Sequence, residues 1–160
     1  MTRWLDPDER AAWVRLAAVM ERLPGLLEAQ LTHDADLTHF EYWVLAMLSE
    51  APRGTLRMTQ LAGRTSATLP RLSHVVQRLE QRGLLERVPC PEDRRATNAR
   101  LTAAGRRKIV AAAPGHVDAV RELVVDALSA EQLGQLTEIM DAILPRLGPN
   151  ALAAVEVPAS

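Results

Sequence analysis

Apolar residues recur at Trp13, Leu16, Ala17, Met20 and Leu23, a three-and-four spacing that predicts a helix with one buried face. Its start is written at Asp6-Pro7-Asp8-Glu9. Asp6 serves as N-cap, the proline takes the first helical position where a missing N–H costs nothing, and the acidic side chains face the positive end of the helix dipole. Pro24-Gly25 is expected to end or kink this helix before the pattern resumes over Leu26 to Leu31, and His33-Asp34-Ala35-Asp36 reads as a polar connector. A second start, Thr38-His39-Phe40-Glu41, is a capping box. Its helix carries Phe40, Trp43, Val44, Met47 and Leu48, more apolar surface than one face needs, so burial on two sides is expected. Ala51-Pro52-Arg53-Gly54 stops it, and Thr55-Leu56-Arg57 is long enough for a single β-bridge.

From Met58 the pattern shortens. A small helix through Thr59 to Arg64 is followed by a tight turn at Thr65-Ser66-Ala67 and a second helix opened by Thr68-Leu69-Pro70-Arg71. In that helix Leu72, Val75, Val76 and Leu79 fall on one stripe, while Pro70, Arg71, His74, Gln77, Arg78 and Gln81 fall on the other, so one face packs and the other is free. Gly83 ends it. Leu84 to Val88 and Thr97 to Leu101 then read as a hairpin whose charged loop, Pro91-Glu92-Asp93-Arg94-Arg95, is expected to be too long for a two-residue turn. This is the layout of a winged helix-turn-helix.

Thr102 can cap a further helix with a stripe through Ile109, Ala113, Val117, Val120, Val124 and Leu128, which Pro114-Gly115 should bend. Ser129 to Gln132 is another capping box, opening a last helix with Leu133, Leu136, Met140, Ile143, Leu144 and Leu147 on a broad apolar face. These stripes exceed what a winged domain can cover, which implies a second copy. The expected fold is mainly α with a small β-wing in one domain. The winged helix-turn-helix spans 53–102 between dimerisation and scaffold helices at 6–50 and 103–147, and 148–160 is a flexible tail.

Charge sharpens the picture. Residues 53–108 hold thirteen Arg or Lys against four Asp or Glu, and the rest of the chain holds six against sixteen. A net charge of −1 therefore hides a block of +9 in a frame of −10, the footprint of a protein that meets a polyanion, here double-stranded DNA. Cys90 is the single cysteine, which rules out an intramolecular disulfide and suits a reducing cytoplasm. No window has the apolar length of a membrane span, so a soluble protein without a membrane partner is expected. No nucleophile elbow, phosphate loop, metal-ligand pair or Cys–His arrangement is evident, so neither enzymatic activity nor a cofactor is expected. A winged module that binds only protein is the rival reading, and the +9 block argues against it.

Leu61-Ala62, the run Arg78-Leu79-Glu80-Gln81-Arg82-Gly83-Leu84-Leu85-Glu86-Arg87, Asp93-Arg94-Arg95 and Leu101-Thr102-Ala103-Ala104-Gly105 come in an order and spacing that resembles the MarR family of bacterial transcription regulators. The resemblance covers roughly Asp6 to Leu147. It implies a homodimer joined through its terminal helices, bound to a pseudo-palindromic operator and released by a small, frequently phenolic ligand. It also implies that Arg95 enters the minor groove while Asp93 braces the wing by pairing with a neighbouring arginine, and that the ligand cleft lies between the first two helices and the winged domain. Trp13, Trp43 and His39 would line that cleft, unless the tryptophans are simply core.

The physics of the residue types agrees, since an arginine on a projecting ribbon suits a narrow, negative groove. Arg71, Ser73 and His74 are placed for the major groove, with Pro70 offering apolar contact to a thymine methyl. Arg78, Ser66, Thr68 and Arg94 are candidates for phosphates. Cys90, flanked by prolines, is expected to be inert. His33, Asp34, Asp36 and His39 have no tight i, i+4 ligand pair and read as a helix linker, not a metal site.

Overall fold

The first helix does not stop at Pro24. In the computed structural model, which describes residues 1–148, 151 and 155, α1 runs unbroken from Pro7 to Ala35 over 29 residues. Pro24 and Gly25 are exposed, so water can serve the carbonyl that the proline leaves without an N–H. The Asp6 carboxylate accepts from the backbone N–H groups of Asp8 and Glu9, as its sequence promised. The expected connector at 33–36 is instead the last turn of the helix, closed by Asp36 in the left-handed region at φ 49°.

Leu27, Leu31 and Ala35 are buried, but the stripe N-terminal to them is not. Leu16, Ala17 and Leu23 are half-buried, while Trp13 and Met20 stand in solvent. The face expected to be buried thus has only partial cover within its own chain. By contrast α2 (His39–Glu50) is enclosed: Glu41, Val44, Leu45 and Leu48 are buried, and of its twelve residues only Glu50 is exposed. Its capping box forms, with Thr38 Oγ1 accepting from the Glu41 N–H and the Glu41 carboxylate accepting from the Thr38 N–H.

A single 3-10 turn at Pro52–Gly54, with Arg53 and Gly54 both at positive φ, leads into β1 (Thr55–Arg57). The helix-turn-helix follows as α3 (Met58–Arg64) and α4 (Leu69–Gln81), joined by Thr65-Ser66-Ala67. Leu61, Leu72, Val76 and Leu79 are fully buried against Val44, Leu45 and Leu48 of α2 in the one contiguous core.

The wing is more regular than its sequence suggests. Strands β2 (Leu85–Cys90) and β3 (Asp93–Leu101) pair antiparallel from Leu85↔Leu101 to Cys90↔Asp93, which leaves a two-residue turn at Pro91-Glu92 and a register shift at Pro89/Cys90. Asp93, Arg94 and Arg95 therefore lie on a strand and not in a loop. β1 adds three paired residues to the far side of β3, giving the order β1-β3-β2.

Thr102 ties the sheet to α5 (Ala103–Leu123). Its hydroxyl donates to the Gly83 carbonyl at 2.7 Å and accepts from the Gly105 N–H at 3.0 Å, while its own N–H donates to the Leu84 carbonyl at 3.2 Å. Pro114 sits inside this helix without ending it. After a 3-10 turn at Val125–Ala127, Ser129 caps α6 (Ala130–Ile143), which holds no buried residue at all. The tail expected at 148–160 lies, apart from Gly148, Ala151 and Val155, outside the described residues. No described helix is long and apolar enough to cross a membrane.

Candidate nucleic-acid interface

The geometry of the candidate DNA surface begins with the turn between α3 and α4. Thr65 is buried and its hydroxyl donates to the Leu61 carbonyl at 2.7 Å, which fixes the end of α3. Ser66 follows at φ 52°, and the Ala67 N–H returns to the Ala62 carbonyl at 2.9 Å. A short polar residue tolerates the left-handed region better than a branched one. The reversal lets α4 pack one face on the core and leave the other exposed. Thr68 caps it by accepting from the Arg71 N–H, a role that uses a lone pair of its hydroxyl and not the proton.

Pro70, Ser73 and His74 project from the exposed face of α4. Ser73 also opens onto a cleft of about 340 Å³ between α4 and the wing, where it meets Arg95 and Thr97 from β3 and Arg57 and Thr59 from β1 and α3. The helix and the wing thus present one continuous surface. Arg57, Thr59 and Thr97 carried no local signal; what gathers them is the β1–β3 pairing.

Arg94 and Arg95 are exposed, and no described carboxylate lies within ion-pair distance of either. Asp93, expected to pair with a neighbouring arginine side chain, instead bonds to the backbone: its Oδ1 accepts from the Arg95 N–H at 3.0 Å. Three other carboxylates of the basic block are spent locally. Glu80 binds Arg87, Glu86 binds Arg100 and Glu92 approaches Arg57 at 3.8 Å. The Arg87 backbone N–H, with its guanidinium, holds the Glu80 carboxyl below its ordinary pKa.

Two arginines of α4 are engaged by α2. Arg71 places its guanidinium 4.2 Å from the centroid of the Phe40 ring, a cation–π contact. Arg78, expected to meet a phosphate, sets its guanidinium against the Glu41 carboxylate. In both cases the first turn of α2 supplies an acceptor that no local pattern in α4 could announce.

Arg71 and Phe40 border a second cleft, of about 360 Å³, with Glu28, His39, Trp43 and Ser66. Two of the three residues expected for a ligand cleft, His39 and Trp43, line it. Trp13 does not, because it lies eleven residues before Pro24 along the same helix and is 53% exposed. Glu28 accepts from the His39 N–H at 2.6 Å. The His39 ring lies 6.3 Å from Trp43 and 5.8 Å from His116 of α5, whose ring lies tilted 4.3 Å from that of Tyr42. Burial holds the imidazoles of His39 and His116 below their ordinary pKa, each against or with one charge: Glu28 opposes the shift at His39, and His39 reinforces it at His116. Both are therefore neutral at pH 7. Cys90 is buried at the end of β2, and among the described residues no three His, Cys, Asp or Glu side chains converge as a metal would require.

The arrangement has relatives. The sequence profile of the MarR family matches residues 35–96. The chain is 31% identical over 119 residues, 74% of its length and 77% of the relative's, to the HTH-type transcriptional regulator MhqR of Bacillus subtilis. This chain belongs to the MarR family. Among solved structures, Sco3205 of Streptomyces coelicolor, a MarR family transcriptional regulator crystallised in complex with DNA, superposes with a TM-score of 0.90 at 42% identity over 93% of each chain. AbsC, a MarR family regulator from the same organism, gives 0.88 at 36% identity over 91% of this chain and 98% of its own. The winged helix-turn-helix is thus that of a family of transcription regulators, not of enzymes.

Proposed function

We propose that the protein is a homodimeric regulator, acting in the cytoplasm as a repressor on a pseudo-palindromic operator and released from it by a small aromatic anion. The observation that carries the DNA-binding surface is the shared cleft of α4 and the wing, with Ser73 on one wall and the unpaired Arg95 on the other. On this reading Pro70, Ser73 and His74 meet base edges, Ser66, Thr68 and Arg94 meet phosphates, and Arg95 enters the minor groove. The terminal segments 6–50 and 103–147 carry the dimer and 53–102 carries the DNA.

Two copies related by a two-fold axis would set their α4 helices on half-sites about one turn, roughly 10 base pairs, apart. Selecting bound fragments from genomic DNA and footprinting them should reveal an inverted repeat at that spacing. A single asymmetric half-site bound with full affinity would refute the symmetric dimer. Arg95→Ala should weaken binding to all sequences and lower the salt slope by about one unit. His74→Ala should instead relax preference at one base pair, at a cost of about 1–3 kcal/mol. An unchanged slope for Arg95→Ala would take the wing out of the groove.

The effector site is the cleft at His39 and Trp43. Its volume of about 360 Å³ lies in the range of small-molecule sites. With both imidazoles neutral, the cation available to an anionic ligand is Arg71, which belongs to α4. A carboxylate bound there pulls directly on the helix that reads DNA, and a tenfold loss of operator affinity needs about 1.4 kcal/mol of coupling. Titrating benzoate and hydroxybenzoates should quench Trp43, and operator DNA should weaken that binding by the same factor by which the ligand weakens the operator. Quenching that is indifferent to DNA would make the cleft a site but not the switch.

A further inference from the structure

Glu41 is the most completely buried carboxylate in the described chain, with its side chain 4% exposed, and it is asked to do two things at once. Its Oε2 accepts from the Thr38 N–H at 2.9 Å as part of the α2 capping box. Its Oε1 receives the Arg78 guanidinium from the exposed face of α4, and Arg82 Nη1 stands 3.5 Å from Oε2. Arg82 is held from a second side, since its Nη2 donates to the Asp36 carbonyl at 2.8 Å and lies 3.3 Å from the Asp36 carboxylate. An ionised carboxylate removed from water demands such partners, because leaving it unpaired costs far more than an exposed ion pair returns. A phosphate outside competes for the same guanidinia through water and salt, where the attraction is much weaker.

We propose that Glu41 withholds Arg78 and Arg82 from the DNA backbone and so limits the sequence-independent affinity of the protein. The inference rests on the DNA-binding reading above and assigns to Glu41 a role in specificity without any contact to DNA. Two cations that the sequence counts toward the duplex are spent on the corner between α1 and α2. The salt dependence of binding to a random duplex therefore excludes both.

Glu41→Gln tests this with the fold preserved, because glutamine serves equally in a capping box and can still accept from the Thr38 N–H. Its binding to a random 30-base-pair duplex should tighten by about five- to tenfold at 0.1 M salt per released cation, and the salt slope should steepen by about 0.9 for each. Adding Arg78→Ala and Arg82→Ala to Glu41→Gln should remove the gain. Weaker binding to operator and random duplex alike, with the slope unchanged, would make Glu41 a device for orienting α4 and would overturn the proposal. Should Glu41→Gln fail to fold, Arg78→Ala alone decides: the proposal expects the native slope on random duplex, and a loss of about one unit would show that Arg78 already meets a phosphate. A native protein that binds neither duplex would instead undo the DNA-binding reading itself, so the two failures are separable.

Discussion

Gly105→Ala is expected to lower the melting temperature by about 10 °C or leave the protein insoluble. A Cβ built on Gly105 would lie 1.9 Å from the Leu84 carbonyl oxygen, 2.9 Å from the Leu84 carbonyl carbon and 2.7 Å from Leu101 Cδ1. The first two are backbone atoms that cannot swing aside. That carbonyl accepts the Thr102 N–H, and Thr102 also caps α5 and bonds to Gly83. Making room for one methyl group therefore means lifting the whole start of α5 off the strand, with a loss of about 3 kcal/mol or more, or about 10 °C for a chain of this size. The same substitution at Gly25, inside α1 with nothing within 4 Å of the added Cβ, should stabilise by about 0.5–1 kcal/mol. Thermal unfolding of the two variants side by side checks the pair. A Gly105→Ala protein that melts like the native one would mean that α5 does not approach Leu84 so closely.

Leu136→Glu should turn a dimer into single chains of 17.6 kDa and lower operator affinity by about 10²–10⁴-fold, the gain that linking two half-site contacts provides. Leu136 is half-buried in a helix that contributes nothing to the core, so a charge there costs the isolated chain little. It would be costly against a second apolar helix. The motive is the amount of uncovered apolar surface at the two ends of the chain: Trp13, Val14, Met20, Val117 and Ile139 are each at least half exposed. Sedimentation and operator titration measure the two halves. A variant that keeps twice the chain mass and native affinity would place the contact elsewhere.

The helix starts were legible because capping is local chemistry. Asp6, Thr38, Thr102 and Ser129 each announce a helix within four residues and each accepts the expected N–H. Pro24 does not end α1, one of the two outcomes expected of it, because an exposed turn in a long helix can meet the lost hydrogen bond with water. The wing misled for a related reason. Strands packed on a core alternate apolar and polar, but a ribbon projecting into solvent has no such face, so Asp93 to Ala96 could be strand without looking like one. At the candidate site, the positions of α4 along its own axis were readable and the destinations of its arginines were not. Phe40 and Glu41 precede Arg71 and Arg78 by 31 and 37 residues, and His116 follows His39 by 77, distances over which only packing brings groups together. The charge count failed in the same way, since a sum over sequence does not know which cations are already taken.

The length of α1 has a mechanical consequence. Its buried anchor is Leu27, Leu31 and Ala35, with Glu28 between them gripping the first turn of α2. From Leu27 back to Pro7 the helix extends about 30 Å, so a tilt of about 5° at the anchor sweeps the far end through about 2.5 Å. That root is also a wall of the cleft. A displacement there too small to disturb any hydrogen bond in the core becomes, at Trp13 about 21 Å away, a movement of about 1.8 Å: α1 is an indicator needle whose pivot sits beside the cleft.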